Sequence, residues 1–519
     1  MGRMAVHISK KGETVDLQGT GASIVVLPRG LKNWNEIDTH APGASAEYGP
    51  DITAWVARQL KKPGAQQVLF FDRTMSQRVV LAPLPKDNAM FVLLGWAKSV
   101  WESLLTLKIE SVHIEITDID PADVLNVVDA LFSALVAAQF VPPKSEKKPQ
   151  KVIVFQPKSV SVRYSEGTAG LDNRTLLKRI DNARRVTEGT NWVRHLVMRP
   201  ANDLTCRQLA EEAKQLSDEF DLGYDIYSQK NLEKIGAGAF LAVARGAAHT
   251  DAAIVQLSYS PARSKKQQDK IPHAVLVGKG VVYDTGGLSL KPPAYMFGMH
   301  GDMAGAAVVL ALMRLAAQEQ WPISVTGFLA IAENSIGSRA FRPNEVIKSL
   351  SGVTIETVHT DAEGRMMLAD TLTLASRLAP DLIVDFATLT GSCVAAIGTS
   401  FSGALSNKIE WLESAMAAGR ESGEQIWGFP LAKELDKSLE SEIADVKQCR
   451  LKGGVDHIEA ALFLQRFLEK QCPWVHIDLS SAEREGGLGH IETAVTGVGV
   501  RIGRSLIHGL FRDVSQVKK

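Results

Sequence analysis

The stretch HAVLVGKGVVYD, residues 273–284, decides the fold of this chain. Its nearly continuous apolar character predicts a strand that is covered on both faces. A Gly- and Pro-rich loop follows, and then come an apolar helix, MAGAAVVLALMRLAAQ (303–318), and a second strand, ISVTGFLAIAEN (323–334). A strand, a helix and a strand in this order predict parallel pairing within one sheet.

The same alternation continues downstream. The strand VTIETV (353–358) precedes the helix GRMMLADTLTLASRL (364–378), and the strand DLIVDFATLTG (381–391) follows. Together these segments predict an α/β fold in which residues 198–519 form a larger C-terminal domain. Its central sheet is expected to be mostly parallel and flanked by helices.

The upstream part of the chain predicts a smaller N-terminal α/β domain over residues 1–165. A strand at 106–117 alternates apolar and polar residues, and an apolar helix at 120–140 begins after an acidic cap. A charged helical segment at 173–197 lies within the predicted linking helix, 166–197. The length of 519 residues agrees with two domains.

The composition is that of a soluble globular protein. Hydrophobic residues make up 45% of the chain, and Lys+Arg and Asp+Glu balance at 58 each. A balanced charge gives no overall electrostatic attraction for nucleic acid or for an acidic partner.

The cysteines and the apolar runs predict a cytoplasmic protein without a membrane segment. The first twenty residues lack the apolar core of a signal peptide, and no apolar run approaches the roughly 20 residues that span a bilayer. The four cysteines form no C-x-x-C pair, which favours buried thiols in a reducing compartment.

Charged residues collect where the predicted strands end. In sheets of this kind, ligands bind beyond the carboxyl ends of the strands, where Asp284, Asp361 and Thr388 fall. The charged groups expected at this edge are Lys279, Asp284, Lys291, Asp302, Asp361, Glu363 and Arg365. Four crowded carboxylates repel one another unless cations compensate, so the cluster predicts divalent metal such as Mn, Mg or Zn.

Simpler interpretations stand beside this one. Asp361 and Glu363, taken alone, are typical of a solvated turn. Lys279 inside an apolar strand needs either an ion pair with Asp284 or the loss of its proton, which would let it bind a metal as a neutral amine. Spacing alone favours neither reading of Lys279. His476 and Asp478 have the spacing of a ligand pair on a strand, but their apolar flanks favour a core position.

The motifs resemble those of the leucyl aminopeptidase (cytosol aminopeptidase, M17-type) family. They lie in the family's order over roughly residues 190–500, which is far more specific than any single motif. The matching stretches are VGKGVVYDTGGLSLKP, MHGDMAGAA, AEN, RP, TDAEGRMMLAD, DFATLTGSCVAAIG, EIADVK, AALFL and PWVHIDL.

The resemblance implies a site with two divalent ions, Mn²⁺ or Zn²⁺. One ion would be held by Lys279, Asp284, Asp302 and Glu363, and the other by Asp284, Asp361 and Glu363. Coordination of this kind lowers the pKa of a water to about 7.

The resemblance also assigns roles to groups that do not bind metal. Lys291 would stabilise an oxyanion, and Arg365 would hold a bicarbonate that serves as general base. The backbone around Thr388, Leu389 and Gly391 would fix the substrate, and Met299 would line the pocket for its N-terminal side chain. The implied function is hydrolysis of the first peptide bond of short peptides, by a homohexamer.

The chain departs from the family pattern at three places, and one of them is His300 in MHGDM, where the family usually has a basic residue. His359 stands where the family usually has Asn, at a position that is not a metal ligand in the family. Residues 480–501, SSAEREGGLGHIETAVTGVGVR, depart from the family's small-residue pattern, which bears on the shape of the pocket and the preferred side chain.

Two other functions compete with catalysis. Binding of DNA would need a continuous basic stripe, whereas the sequence has only scattered basic clusters such as residues 144–151 and 265–270. A site that binds metal without activity is disfavoured because all seven polar groups are present. The sequence therefore favours a metal-dependent aminopeptidase.

Overall fold

A computed structural model describes most of the chain, which divides into two compact units. The described residues are 5–10, 21–28, 68–74, 77–105, 107, 109–116, 119–143, 157–164, 171–249, 251–262 and 271–516. The first unit comprises residues 1–188 and 488–492, and the second comprises residues 189–487 and 493–519. The division predicted from sequence, with a linking helix over 166–197, stays a prediction.

The first unit contains a six-stranded sheet and helices packed against it. Its elements are β1 (Ala5–Lys10), β2 (Gly21–Leu27), β3 (Leu69–Thr74), β4 (Gln77–Pro83), α1 (Met90–Glu102), β5 (Ser111–Ile116), α2 (Pro121–Ala138) and β6 (Ser159–Tyr164). The strand order is β1-β6-β5-β2-β4-β3, and all pairs are parallel except β3 with β4. Helices α1 and α2 pack on each other, and Trp101 Nε1 of α1 donates to Leu131 O of α2 at 2.7 Å. The predicted smaller α/β domain at the N-terminus is confirmed, and the unit boundary falls within helix α3 (Asn173–Val197).

The second unit is built on an eight-stranded sheet. Its strands are β7 (Gly223–Ser228), β8 (Ala253–Tyr259), β9 (His273–Asp284), β10 (Ser324–Asn334), β13 (Leu382–Ala387), β14 (Ser402–Ser406), β15 (Ile426–Gly428) and β17 (Trp474–Asp478). They are arranged in the order β15-β14-β17-β13-β9-β10-β8-β7. The four central strands, from β17 to β10, are parallel, and antiparallel pairs lie to either side. The predicted mostly parallel sheet is confirmed.

Helices cover both faces of this sheet. After α3, the helices that the structure describes in this unit are α4 (Cys206–Phe220), α5 (Gln229–Ile235), α6 (Gly238–Ala244), α7 (Pro293–Met296), α8 (Ala304–Gln318), α9 (Glu363–Arg377), α10 (Gly391–Ile397), α11 (Ile409–Ser422), α12 (Asp456–Gln465) and α13 (Val500–Gln516). Val275 and Val277 of β9 share a core with α9, whereas the neighbouring Gly278 lies against the backbone of α8. Successive residues of a strand point to opposite faces, so β9 is buried on both sides.

One predicted strand lies outside the central sheet. Only Thr354–Glu356 of the segment 353–358 is extended, and this strand, β12, pairs with β11 (Val346–Lys348) and β16 (Val446–Lys447) in a separate three-stranded sheet. The reason is visible in its burial, because Ile355 is buried while its neighbours are partly exposed. A strand with one apolar face does not fit between two layers of helices.

Two described segments, Pro121–Ala138 and Pro293–Gln318, are long and apolar enough to cross a membrane. In each of them, 67% of the most apolar window is buried inside the structure. Such burial is what the core helices of a globular domain require.

Candidate metal centre

Asp284 ends strand β9 and is held by the turn that follows. Its Oδ1 accepts hydrogen bonds from the backbone N of Gly286 and from Nδ2 of Asn334, both at 2.8 Å. Gly286 has a φ of +84°, and a Cβ at that position would lie 2.6 Å from Ser289 O and 2.9 Å from Asp361 Oδ1. Only glycine fits this turn, because the backbone is left-handed and the acid of another loop is adjacent.

Asp361 and Glu363 reach the same place from the loop after β12. Thr360 fastens this loop to the Asp284 turn, since its Oγ1 donates to Gly286 O at 2.6 Å and its carbonyl accepts from Asn334 Nδ2 at 3.1 Å. Glu363 then opens helix α9. One ligand atom from each of Asp284, Asp361 and Glu363 lies within 4.8 Å of the others.

Lys279 lies in the middle of β9, is 3% exposed, and pairs with two acids from different elements. Its Nζ is 2.8 Å from each oxygen of Asp302 and 2.9 Å from Glu363 Oε1. It also donates to the carbonyl of Thr388 at 3.1 Å. The close approach depends on Gly364, where a Cβ would lie 2.6 Å from Lys279 Cε.

Asp284 is paired with a different lysine. Nζ of Lys291 lies 2.9 Å from Asp284 Oδ2 and 2.5 Å from Asp361 Oδ1. The sequence left open whether Lys279 pairs with Asp284. In the structure Lys279 pairs with Asp302 and Glu363, and Lys291 pairs with Asp284.

The electrostatics of the cluster show an excess of buried negative charge. Burial and the nearby Asp284 raise the pKa of Glu363 to about 8. Burial raises the pKa of Asp302 to about 6, against the attraction of Lys279, and it also raises the pKa of Asp361. Burial opposes the charge on Lys279, but the carboxylates of Asp302, Glu363 and Asp284 together raise its pKa. Because the carboxyl pKa values are raised even with lysines nearby, the cluster carries more negative charge than its lysines neutralise, and an additional cation would stabilise it.

A cavity of about 1190 Å³ opens beside these groups. Ten of the eleven site residues predicted from sequence line it: Lys279, Asp284, Lys291, Met299, Asp302, Asp361, Glu363, Thr388, Leu389 and Gly391. Thr388 contributes a further contact, because its Oγ1 donates to Asp302 Oδ1 at 2.7 Å.

Arg365 is the eleventh, and it lies outside that lining. Its guanidinium is 2% exposed and donates from Nη2 to both carboxylate oxygens of Asp456, at 2.8 and 2.7 Å. Nη1 donates to Gln448 O at 3.2 Å. Among the residues that the structure describes, Nε of Arg365 is buried and has no hydrogen-bond partner.

Asp478 is a residue of the site that the sequence does not identify. His476, interpreted with it as part of the core, does lie there and pairs with Asp385 at 2.6 Å. Asp478, however, lines the cavity and accepts from Leu389 N at 3.3 Å and from Thr390 Oγ1 at 2.8 Å.

Asn334 and Asp456 are also absent from the predicted site. Asn334 ends β10 in register with Asp284, so the rule that polar groups gather at the carboxyl ends of strands is a usable signal for it. Asp456 begins helix α12, far from Arg365 in the chain, and only the folded structure brings the two together. The basic clusters 144–151 and 265–270 both lie outside the described residues.

The fold and the carboxylate cluster define a mixed α/β protein with a candidate centre for divalent metal. Residues 191–503 match the family described as "Cytosol aminopeptidase family, catalytic domain". The chain belongs to this family.

Curated relatives resemble the catalytic part of the chain. A "Probable cytosol aminopeptidase" of Syntrophotalea carbinolica is 43% identical over 326 residues, which are 62% of this chain and 64% of that protein. One of Aquifex aeolicus is 40% identical over 316 residues, 60% of this chain and 63% of the relative. The match thus spans less than two thirds of the length of these relatives.

A solved structure resembles nearly the whole chain. It is described as "Bottromycin maturation enzyme BotP in complex with Mn" and aligns with a TM-score of 0.75 at 27% sequence identity. The alignment covers 94% of this chain and 99% of that one.

Proposed function

We propose that this protein is a metal-dependent aminopeptidase that hydrolyses the N-terminal peptide bond of short peptides and releases amino acids such as leucine. The observation that carries the proposal is the convergence of three acids, Asp284 at the end of β9 and Asp361 and Glu363 at the start of α9, beside an open cavity. Family membership supports the same reaction.

The residues at the centre fit divalent ions. Among the described residues, Oδ2 of Asp302 and Oδ1 of Asp361 are buried without a hydrogen bond of good geometry, although each lies near a lysine. Oxygens in that state are free to bind a hard or borderline cation. A divalent ion would also offset the negative charge that raises the pKa of Lys279, and so would favour its neutral, metal-binding form.

Five side chains would hold two ions, Mn²⁺ or Zn²⁺. We assign one ion to Lys279, Asp284, Asp302 and Glu363, and the other to Asp284, Asp361 and Glu363. Ions bound there would supply a low-pKa water at neutral pH and polarise the scissile carbonyl. Lys291, whose ammonium borders the cavity, would stabilise the negative charge that develops on that carbonyl oxygen.

The other groups would position the substrate and move a proton. Backbone groups of Thr388, Leu389 and Gly391 line the cavity and would bind the peptide main chain, and Met299 would border its N-terminal side chain. Arg365 would hold bicarbonate as the proton acceptor. The unpaired Nε supports this role, and the two hydrogen bonds from Nη2 to Asp456 anchor the other end of the guanidinium.

We further propose that the protein acts in the cytoplasm as a homohexamer. The names of the cytosol aminopeptidases that it resembles support the location. An enclosed assembly would restrict access to short peptides.

The proposal is tested with purified protein and a panel of amino-acyl amides. Activity should disappear after chelation and return with Mn²⁺ or Zn²⁺. Asp361→Asn should abolish turnover while the circular dichroism spectrum stays native, and Asp225→Asn, at an exposed position of β7, serves as the matched control. Full activity of a normally folded Asp361→Asn protein would refute the proposed mechanism.

A further inference from the structure

A second cavity adjoins the one beside the carboxylate cluster. It has a volume of about 530 Å³ and shares with its neighbour a wall that includes Met299, Thr388 and Glu483. Since the proposed function places the substrate's N-terminus at this wall, the second cavity is the space into which the first side chain would extend.

The lining of this cavity is mostly apolar. Val197, Ala304 and Val495 face it together with Met299, and they would enclose the aliphatic part of a side chain. A lining of this kind suits a long side chain that carries its polar group at the end.

Glu483 supplies a carboxylate to both cavities. Asp302 also lines both, but its Oδ1 accepts hydrogen bonds from Lys279 and Thr388, and its Oδ2, 2.8 Å from Lys279 Nζ, belongs to the proposed metal centre. Glu483, by contrast, is exposed, and it has no side-chain hydrogen bond or ion pair among the described residues. It is therefore a carboxylate of the cavity wall that remains available to a ligand.

The backbone holds Glu483 in a defined place. It forms an antiparallel bridge with Val495, and the flanking bonds are Arg484 N to Ala494 O at 2.8 Å and Thr496 N to Ala482 O at 3.0 Å. A Cβ on Gly298, the residue before Met299, would lie 4.0 Å from Glu483 Oε2. The carboxylate thus stands next to the methionine that borders both cavities.

We infer that this protein prefers peptides whose N-terminal residue is basic, lysine or arginine, and that Glu483 determines the preference. The inference rests on the proposed aminopeptidase function. An ionised carboxylate only accepts hydrogen bonds, so it complements an ammonium or guanidinium group and offers nothing to an aliphatic end. The apolar walls bind the methylene groups that precede the charge.

The test compares lysine with norleucine, which has a straight four-carbon side chain without the ammonium group. The measured quantity is the ratio of kcat/KM for the lysyl and norleucyl p-nitroanilides, with Mn²⁺ present. We expect a ratio of about ten, which corresponds to about 1.4 kcal/mol. Glu483→Gln should bring the ratio close to one, and Glu483→Lys should bring it below one. The matched control Glu485→Gln, two residues further along and exposed, should keep the wild-type ratio.

Each outcome bears on the inference. A ratio that falls in Glu483→Gln and shrinks at high ionic strength supports it, since the carboxylate is open to solvent. A wild-type ratio of one or less overturns it while the aminopeptidase function stands, because norleucine is still released. A Glu483→Gln protein in which both rates drop equally also overturns it, since the carboxylate would then contact the α-ammonium that both substrates share. Failure to hydrolyse either substrate with Mn²⁺ or Zn²⁺ would instead refute the proposed function itself.

Discussion

Gly305→Ala is predicted to destabilise the protein and to weaken metal binding together. Gly305 lies in the first turn of α8, where a Cβ would be 2.0 Å from Phe386 O and 2.9 Å from Lys279 N. Real Cβ contacts essentially never fall below 3.0 Å, so the helix must move by about 1 Å, and the obstacle is backbone that has no rotamer to change.

The magnitude follows from two opposing effects. Overpacking of this kind costs about 1–3 kcal/mol, and the upper value applies because both colliding segments are central strands. Replacing glycine by alanine inside a helix stabilises the folded state by about 1 kcal/mol, which opposes this cost. The expected net loss in the free energy of unfolding is therefore about 2 kcal/mol.

The same displacement acts on the metal centre. Asp302 lies three residues before Gly305, and its 2.8 Å contact with Lys279 joins the loop before α8 to β9. We expect the affinity for Mn²⁺, measured by isothermal titration calorimetry, to fall at least about tenfold.

Urea unfolding followed by circular dichroism measures the stability effect. Gly95→Ala is the matched control, because Gly95 also lies in a helix but a Cβ there would meet nothing within 4 Å. This control should be stabilised by about 0.5–1 kcal/mol. A Gly305→Ala protein that unfolds at the wild-type urea concentration and binds Mn²⁺ normally would refute the reasoning.

Three further predictions concern other parts of the site and its support. Asp456→Asn should lower the free energy of unfolding by about 1–2 kcal/mol, because the buried Arg365 loses its charged partner. The loss stays this small because the Asp456 side chain is partly exposed to solvent. An unchanged urea midpoint would contradict this prediction. Burial raises the pKa of Asp370 to about 6, although hydrogen bonds from the backbone N–H groups of Leu350 and Phe240 oppose the shift. Between about pH 4 and pH 6 the folded protein therefore keeps a proton on Asp370 that the unfolded chain releases. The free energy of unfolding should accordingly fall by up to about 3 kcal/mol as the pH rises from about 4 to about 6. Thermal unfolding of Asp370→Asn should lack this dependence on pH. If the variant kept the wild-type dependence, Asp370 would be excluded as its source. Chelation should lower the Tm, and Mn²⁺ or Zn²⁺ should restore it, because an ion at one hundred times its Kd stabilises the folded protein by about 2.7 kcal/mol. A Tm that does not change on chelation would argue against a bound metal.

The central strands were predictable because burial on both faces leaves an unmistakable pattern. Strand β9 begins and ends at the residues that the apolar run predicted, His273 and Asp284. The short strand β12 was assigned to the wrong sheet, since three residues with one buried side chain carry too little pattern to identify their partners.

Most of the predicted site residues do line the cavity, but the pairings among them were not predictable from the sequence. Parallel strands present their carboxyl ends at one edge, which is enough to gather Asp284 and Asn334. Lys279 and Asp284 are five residues apart on β9, and both line the cavity, because the register of β9 against β10 shifts between Val281 and Asp284. The actual partners of Lys279, Asp302 and Glu363, belong to a loop and a helix that only the tertiary structure brings together.

The role of Asp478 shows why the order of strands matters for the chemistry. Strand β17 lies beside β13, in parallel register that pairs Asp478 with Ala387. The chain of β13 continues directly into the loop that lines the cavity, so the Asp478 carboxylate meets Leu389 N and Thr390 Oγ1 just beyond the end of the sheet. From the sequence, Asp478 is one acid in an apolar strand and is easily read as part of the core. Once β17 is placed next to β13, the same acid becomes the support of the loop whose neighbouring residue, Thr388, contacts both Lys279 and Asp302.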